Sequence, residues 1–264
     1  MPFAQIRDIN LYYEIVGSGP PLLFINGTGA DLRRKQPWVD RLNDHFTVLR
    51  YDQRGLGQTD KPDRPYSMAD YADDAAALMD LVGWDQAGVL GVSFGGSVAQ
   101  ELARRHPAKI SRLALACANP GGSYGYPLLA LSERDADTRA RTMLSLDLRK
   151  TAEWQAANPE KTEALLDEGR KRGGARDPEA AMGARRQLEA REEHDAIGWL
   201  DQIRAPTGLF GGRYDGLGTV AAQEALAKGI RGATMMLFEG AHSFLGEDPT
   251  AIPAIVAFLK AEAQ

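Results

Sequence analysis

The sequence predicts an α/β fold, a mainly parallel sheet with helices on both faces. Three observations carry this reading. Short apolar runs such as Leu22-Leu23-Phe24-Ile25 and Ala87-Gly88-Val89-Leu90 recur along the chain, and unbroken apolarity suits strands buried on both faces. Helix-patterned runs alternate with them, as at 68–82 and 97–105, and such alternation builds parallel sheets. Between one strand and one helix stands Gly91-Val92-Ser93-Phe94-Gly95, a G-x-S-x-G sequence whose strand–turn–helix context makes it informative.

Size and composition bound the alternatives. The chain has 264 residues, 25% charged and 44% hydrophobic, enough for one α/β domain with an insertion or for two small domains. Net charge is −5, and the densest basic stretch, Arg170-Lys171-Arg172, lies among acidic residues, so no nucleic-acid footprint is present. No apolar run is long enough to span a membrane. The segment from Met1 to Asp8 lacks the charged-then-apolar layout of a signal peptide. The single Cys117 excludes an internal disulfide and a multi-cysteine metal site. A cytoplasmic protein is expected.

Taken in order, residues 3–9 and 11–16 alternate apolar and polar around Asp8-Ile9-Asn10, which reads as an antiparallel hairpin with one wet face. Gly17-Ser18-Gly19-Pro20 breaks it. The strand 22–25 runs into Asn26-Gly27-Thr28-Gly29, a flexible loop. A helix over 37–43 precedes a strand at 47–51, and that strand opens into the glycine-punctuated loop 52–60. Ser67 is placed to cap the helix 68–82, with Asp70 in its first turn and Gly83 at its end. The strand and helix around Ser93 follow, stopped by His106-Pro107. A strand at 110–117 completes the first half.

The pattern changes at Asn119-Pro120-Gly121-Gly122. From there to about Gly198 no strand is legible. Helices are read at 128–135, 137–148, 159–172, 178–189 and 195–202, with breakers at Pro159, Gly173-Gly174, Pro178 and Gly183. Alternation then resumes with a strand at 206–211, a helix at 219–228, a strand at 233–238 and a helix at 249–261. The expected division is a core of 1–119 and 201–264 with an inserted helical cap at 120–200.

Three residues at strand ends can be joined by mechanism. Ser93 follows the fifth strand, Asp215 follows the strand at 206–211, and His242 follows the strand at 233–238. In an open parallel sheet the loops at the carboxyl ends of strands share one rim. A serine hydroxyl needs a base within reach, an imidazole titrates in the right range, and a carboxylate behind it sets the tautomer. Asp52 and Asp201 are rival acids. Asp215 is preferred because Asp52 precedes Ser93 and suits a structural turn with Arg54, while Asp201 precedes its strand. His45 and His106 suit surface or capping places. His194, within Arg191-Glu192-Glu193-His194-Asp195, is a candidate for touching substrate. Phe94 and Thr28 are the expected backbone donors to a developing oxyanion, with Gly27 beside them a candidate for binding substrate. Among the aromatic and methionine residues of the insertion, Met143 and Trp154 are candidate pocket residues, together with Tyr124, Tyr126 and Trp199.

These motifs resemble the α/β-hydrolase fold superfamily. The matches are Asn26-Gly27-Thr28-Gly29, Tyr51-Asp52-Gln53-Arg54-Gly55-Leu56-Gly57, Gly91-Val92-Ser93-Phe94-Gly95-Gly96, Gly212-Arg213-Tyr214-Asp215 and Gly240-Ala241-His242, in family order. The resemblance implies an eight-stranded, mostly parallel sheet, a helical cap inserted after the sixth strand, and no metal or organic cofactor. Within the superfamily the chain is similar to small bacterial esterases, enol-lactonases and ring-cleavage-product hydrolases. It departs from the pattern twice. The donor loop opens with Asn26-Gly27 instead of His-Gly, and Gly216-Leu217-Gly218 replaces an apolar-x-Pro continuation after Asp215.

The leading expectation is a serine hydrolase, monomer or homodimer, acting on a small-molecule carboxylic ester or lactone. One alternative is carbon–carbon bond hydrolysis of ring-fission diketones, for which Arg141, Arg185 and Arg186 are candidate carboxylate clamps. The other is a non-catalytic ligand receptor on the same fold.

Overall fold

A computed structural model describes residues 3–33, 36–172 and 177–261. Eight strands, β1 (Phe3–Ile6), β2 (Ile9–Gly17), β3 (Pro21–Ile25), β4 (Thr47–Tyr51), β5 (Ala87–Val92), β6 (Ile110–Ala116), β7 (Thr207–Gly212) and β8 (Thr234–Phe238), form one sheet in the order 1-2-4-3-5-6-7-8. β2 pairs antiparallel with β1 and β4, and the other pairings are parallel. The helices are α1 (Pro37–Asp40), α2 (Met68–Leu81), α3 (Phe94–Arg105), α4 (Leu128–Ser132), α5 (Ala136–Ser145), α6 (Ala152–Ala157), α7 (Pro159–Arg172), α8 (Pro178–Glu192), α9 (Val220–Gly229), α10 (Phe244–Glu247) and α11 (Ala251–Lys260). The α/β fold with an inserted helical cap, α4 to α8 between β6 and β7, is therefore present as expected.

Strand alternation divides the apolar residues between two cores. Leu23, Ile25, Val89, Leu113 and Leu209 face α2, α3 and α9. Leu22, Phe24, Leu90, Ala114 and Phe210 face the layer of α1, α10 and α11. Both faces are dry, which is why these strands read as continuous apolar runs. Ser67 caps α2 as anticipated: its Oγ accepts from the Asp70 N–H at 3.1 Å, and Asp70 Oδ2 accepts from the Ser67 N–H at 3.1 Å. Such a capping box is worth about 1 kcal/mol.

Asp52 does not pair with Arg54. Its carboxylate accepts from the N–H groups of Leu32 and Gln58 at 2.7 and 2.8 Å, while the buried Arg54 forks onto Asp74 at 2.8 and 2.9 Å and onto Asp8 at 2.7 Å. The loop after β4 is thus pinned to the β1–β2 turn and to α2, which frames the rim where the strands end.

Three local expectations change. The first hairpin turns at Arg7-Asp8, one residue early, with Arg7 at φ 50° and Ile6 paired to Ile9; Ile9 is fully buried, so the core claims it. The expected helix at 195–202 is only a turn of 3₁₀ helix at Leu200–Gln202, because Asp195 pairs with Gly121 in an isolated bridge that closes the neck of the cap. α6, started by Thr151 over the Trp154 N–H, lies where the sequence suggested no helix. Gly173-Gly174 lies outside the described residues, as do Met1 and Pro2.

Candidate active site

β5 delivers Ser93 at a sharp turn. Ser93 has φ 53° and ψ −117°, and α3 begins at the next residue. A non-glycine residue held there costs on the order of 1–3 kcal/mol, so surrounding structure must impose it. The Ser93 N–H donates to Ala116 O at 2.9 Å, tying the turn to the end of β6. Gly95 lets the turn sit on β3, since a Cβ there would lie 2.1 Å from Ile25 O and 2.6 Å from Asn26 O.

His242 follows β8 and touches both partners expected of it. Its Nε2 is 2.9 Å from Ser93 Oγ, and its Nδ1 is 2.8 Å from Asp215 Oδ2. A carboxylate only accepts, so it holds the proton on Nδ1 and leaves the Nε2 lone pair facing the serine hydroxyl. Asp215 is 1% exposed. Its other oxygen accepts from the N–H groups of Leu217 and Gly218 at 2.7 and 3.0 Å.

The Gly216-Leu217-Gly218 departure has a steric reason. A Cβ on Gly216 would lie 2.7 Å from Leu146 O, and one on Gly218 2.5 Å from Cys117 O. Leu146–Leu148 of the cap runs against this loop: the Gly216 N–H donates to Leu146 O at 2.8 Å and the Leu148 N–H to Tyr214 O at 3.0 Å. Arg149 continues the contact, bonded to Asp147 at 2.7 Å and to Glu247 at 2.8 Å. Cys117 is buried nearby; burial, with the Asp215 charge, pushes its thiol well above the ordinary range, which keeps it protonated and poorly nucleophilic.

The loop after β3 packs on the Ser93 turn, with a Cβ at Gly27 only 3.4 Å from Ser93 Cβ. Asn26 shapes it by accepting the Gly27 N–H on its own side-chain oxygen at 2.9 Å, while its carbonyl accepts from Gln53 Nε2 at 2.9 Å. The Gly29 N–H is taken by Gln187 Oε1 at 2.7 Å and the Ala30 N–H by Gly27 O at 3.3 Å. That leaves the Thr28 amide as the one in 27–30 with no bond among the described residues. The Phe94 amide opens α3, where a helix supplies no partner of its own.

The remaining candidates lie on the inserted helices and at their neck. Met143 on α5 is 43% exposed. Trp154 on α6 lies under the Lys150 ammonium, 3.9 Å from its ring centre. His194 is buried at the neck of the cap, edge-on to Trp199 at 5.9 Å, and burial lowers its pKa to about 4. Arg141 pairs with Asp137, Arg185 with Glu133 and Glu189, and Arg186 with Glu189 and Asp63. Among the described residues no group of three or more His, Cys, Asp or Glu side chains is placed to hold a metal ion, and no helix is long and apolar enough to cross a membrane. An open depression of about 500 Å³ lies at the outer edge of β8, lined by Arg213, Met236, Glu239 and Thr250 among others; none of Ser93, Asp215 and His242 lines it. Gln187 escaped the sequence reading. Its only advance signal is its place one helical turn after Gly183 on α8.

The sheet order, the strained serine turn and the inserted helices define a protein of the α/β-hydrolase type. A family model described as alpha/beta hydrolase fold matches residues 20–249, and the chain belongs to that family. It is similar to a poly(3-hydroxyalkanoate) depolymerase of Ectopseudomonas oleovorans, 28% identical over 92% of this chain and 86% of the relative. A putative carbamate hydrolase of Azorhizobium caulinodans is 30% identical over 94% of each chain. Among solved structures, an enol-lactonase from Burkholderia xenovorans LB400 superposes with a TM-score of 0.77 at 26% identity, covering 98% of this chain and all of that one. The protein is a hydrolase.

Proposed function

We propose that this hydrolase cleaves a carboxylic ester or lactone of a small molecule through an acyl-enzyme on Ser93. The observation that carries the reading is His242 bonded at once to Ser93 Oγ and to the buried Asp215. In the first half-reaction Ser93 Oγ attacks the carbonyl carbon as His242 Nε2 takes its proton. The negative oxygen that forms is held by the Phe94 and Thr28 N–H groups, each worth about 3 kcal/mol to such a transition state. Collapse expels the alkoxide, which takes the proton from His242, and leaves the acyl group on Ser93. Water then attacks, giving a proton to His242; the acid departs and Ser93 regains its hydrogen. Asp215 holds the imidazole in the required tautomer and balances its transient charge.

The cap reading extends this. We take 1–119 and 201–264 as the core and 120–200 as the cap, supported by the Gly121–Asp195 bridge at its neck. The relatives, a depolymerase and an enol-lactonase among them, support oxygen esters as the bond class. The carbon–carbon alternative has less support, since each of its three candidate arginines is already in an ion pair with acidic neighbours. A fluorophosphonate should label the wild type at Ser93, and Ser93→Ala should lose both labelling and turnover across a panel of esters and lactones. An active Ser93→Ala would remove the reading.

A further inference from the structure

The cap meets the donor loop through one side chain. α8 is seated on the loop after β4, because a Cβ at Gly183 would lie 2.0 Å from Gly55 O. Gln187, four residues on and therefore on the same helix face, is fully buried. Its Oε1 accepts from the Gly29 N–H at 2.7 Å. An amide N–H can only donate, so this bond fixes which end of the carboxamide is oxygen, and Nε2 is the other end. Nε2 is buried with no hydrogen-bond partner, and so is Thr28 Oγ1 on the residue just before Gly29. A free donor pair and a free hydroxyl thus lie at the loop that supplies the Thr28 amide. Buried polar groups are nearly always paired, and each exception calls for a reason.

We propose that Gln187 Nε2 and Thr28 Oγ1 form a polar subsite beside the scissile carbonyl, binding a hydroxyl or oxo oxygen that the substrate carries a few bonds away. This rests on the Ser93 hydrolase reading. An oxo oxygen accepts from Nε2; a hydroxyl accepts from Nε2 and donates to Thr28 Oγ1. A plain alkyl ester satisfies neither. Sites built with buried polar groups discriminate strongly against ligands that leave them unpaired. Gln187 acts both on the substrate and, through Gly29, on the donor loop.

The test compares ethyl butyrate, ethyl 3-hydroxybutyrate and ethyl 3-oxobutyrate in a pH-stat assay. Wild type should favour the two oxygenated esters in kcat/KM by roughly 10- to 100-fold, the range of one or two well-placed buried hydrogen bonds. In Gln187→Met the ratios should fall at least fivefold, and comparing wild type with variant cancels the intrinsic reactivity of each ester. A purely structural role for Gln187 would slow all three esters alike and keep the ratios, which overturns the subsite. Equal turnover of the three esters by wild type overturns it without need of any variant. No turnover together with no fluorophosphonate labelling of Ser93 overturns the hydrolase reading itself, a different result from turnover without preference.

Discussion

Asp215→Asn separates the chemistry of the acid from its structural work. The side-chain oxygen of the asparagine can keep the Leu217 and Gly218 N–H bonds now made at 2.7 and 3.0 Å. Its NH₂ then faces His242 Nδ1, where Oδ2 stands at 2.8 Å. Nδ1 must become an acceptor, so the ring proton moves to Nε2, 2.9 Å from Ser93 Oγ. The base is then blocked at the one atom that must receive the serine proton. A wrong tautomer of this kind lowers kcat by about 10⁴-fold, or about 5.5 kcal/mol. Stability should fall much less. Bonds to a charged acceptor are worth about 1.5–3 kcal/mol against about 1 for neutral ones, and all three contacts persist in neutral form. Asp215→Ala, by contrast, leaves two buried N–H groups unpaired and should cost several kcal/mol more in folding. Steady-state ester hydrolysis and urea titration read the two effects. Retention of more than a tenth of wild-type kcat by Asp215→Asn would refute the tautomer argument. So would a comparable loss in Asp52→Asn without destabilisation, since that would make the rival carboxylate the acid.

Two further outcomes follow from burial. His194 is neutral in the fold, its pKa lowered by burial from 6.5 to about 4, with Asp195 raising it and Arg191 lowering it. The unfolded chain therefore protonates first as pH falls, and stability should decline from about pH 6.5 down to about pH 4, by about 2 to 3 kcal/mol between pH 7.5 and 4.5. His194→Phe, which keeps a ring against Trp199, should lose that share of the slope in urea titrations; an unchanged slope would show that the imidazole is charged or exposed in the fold. Gly95→Ala should cost about 1–3 kcal/mol by overpacking, with a Cβ driven against Ile25 O, and should depress turnover by shifting the donor loop. Gly246→Ala, whose Cβ meets nothing within 4 Å, is the control, and equal melting temperatures for the two variants would contradict the packing described.

The sheet was legible because its central strands are buried on both faces, so apolar runs such as Leu22–Ile25 could be little else. Ser93, Asp215 and His242 could be singled out as candidates for a related reason: each stands just past a strand end, where a parallel sheet gathers its loops. The inserted helices were legible for the most part, but their packing was not. They are polar and packed through contacts such as Gly183 on Gly55, and nothing local foretells which face turns inward. The 195–202 helix failed because a pairing with Gly121, more than seventy residues away, outweighed local propensity. Met143 and Trp154 could be singled out by side-chain type alone, which carries no information on the direction a side chain takes. Gln187 was missed because its partner is a backbone N–H, which leaves no mark in any sequence pattern.

The inserted helices are stitched to the sheet at two places. Leu146–Leu148 lies along the loop bearing Asp215, and Gln187 holds the loop bearing Thr28. Exchanging this insertion for that of another family member would therefore not merely reshape a binding cavity. Under the proposed mechanism, the graft would carry with it the support of the Asp215 loop on one side and of the Thr28 loop on the other. Chimeras cut at the neck, between Gly121 and Asp195, should then show altered turnover along with altered selectivity, so that under the proposed mechanism the two properties are inherited together.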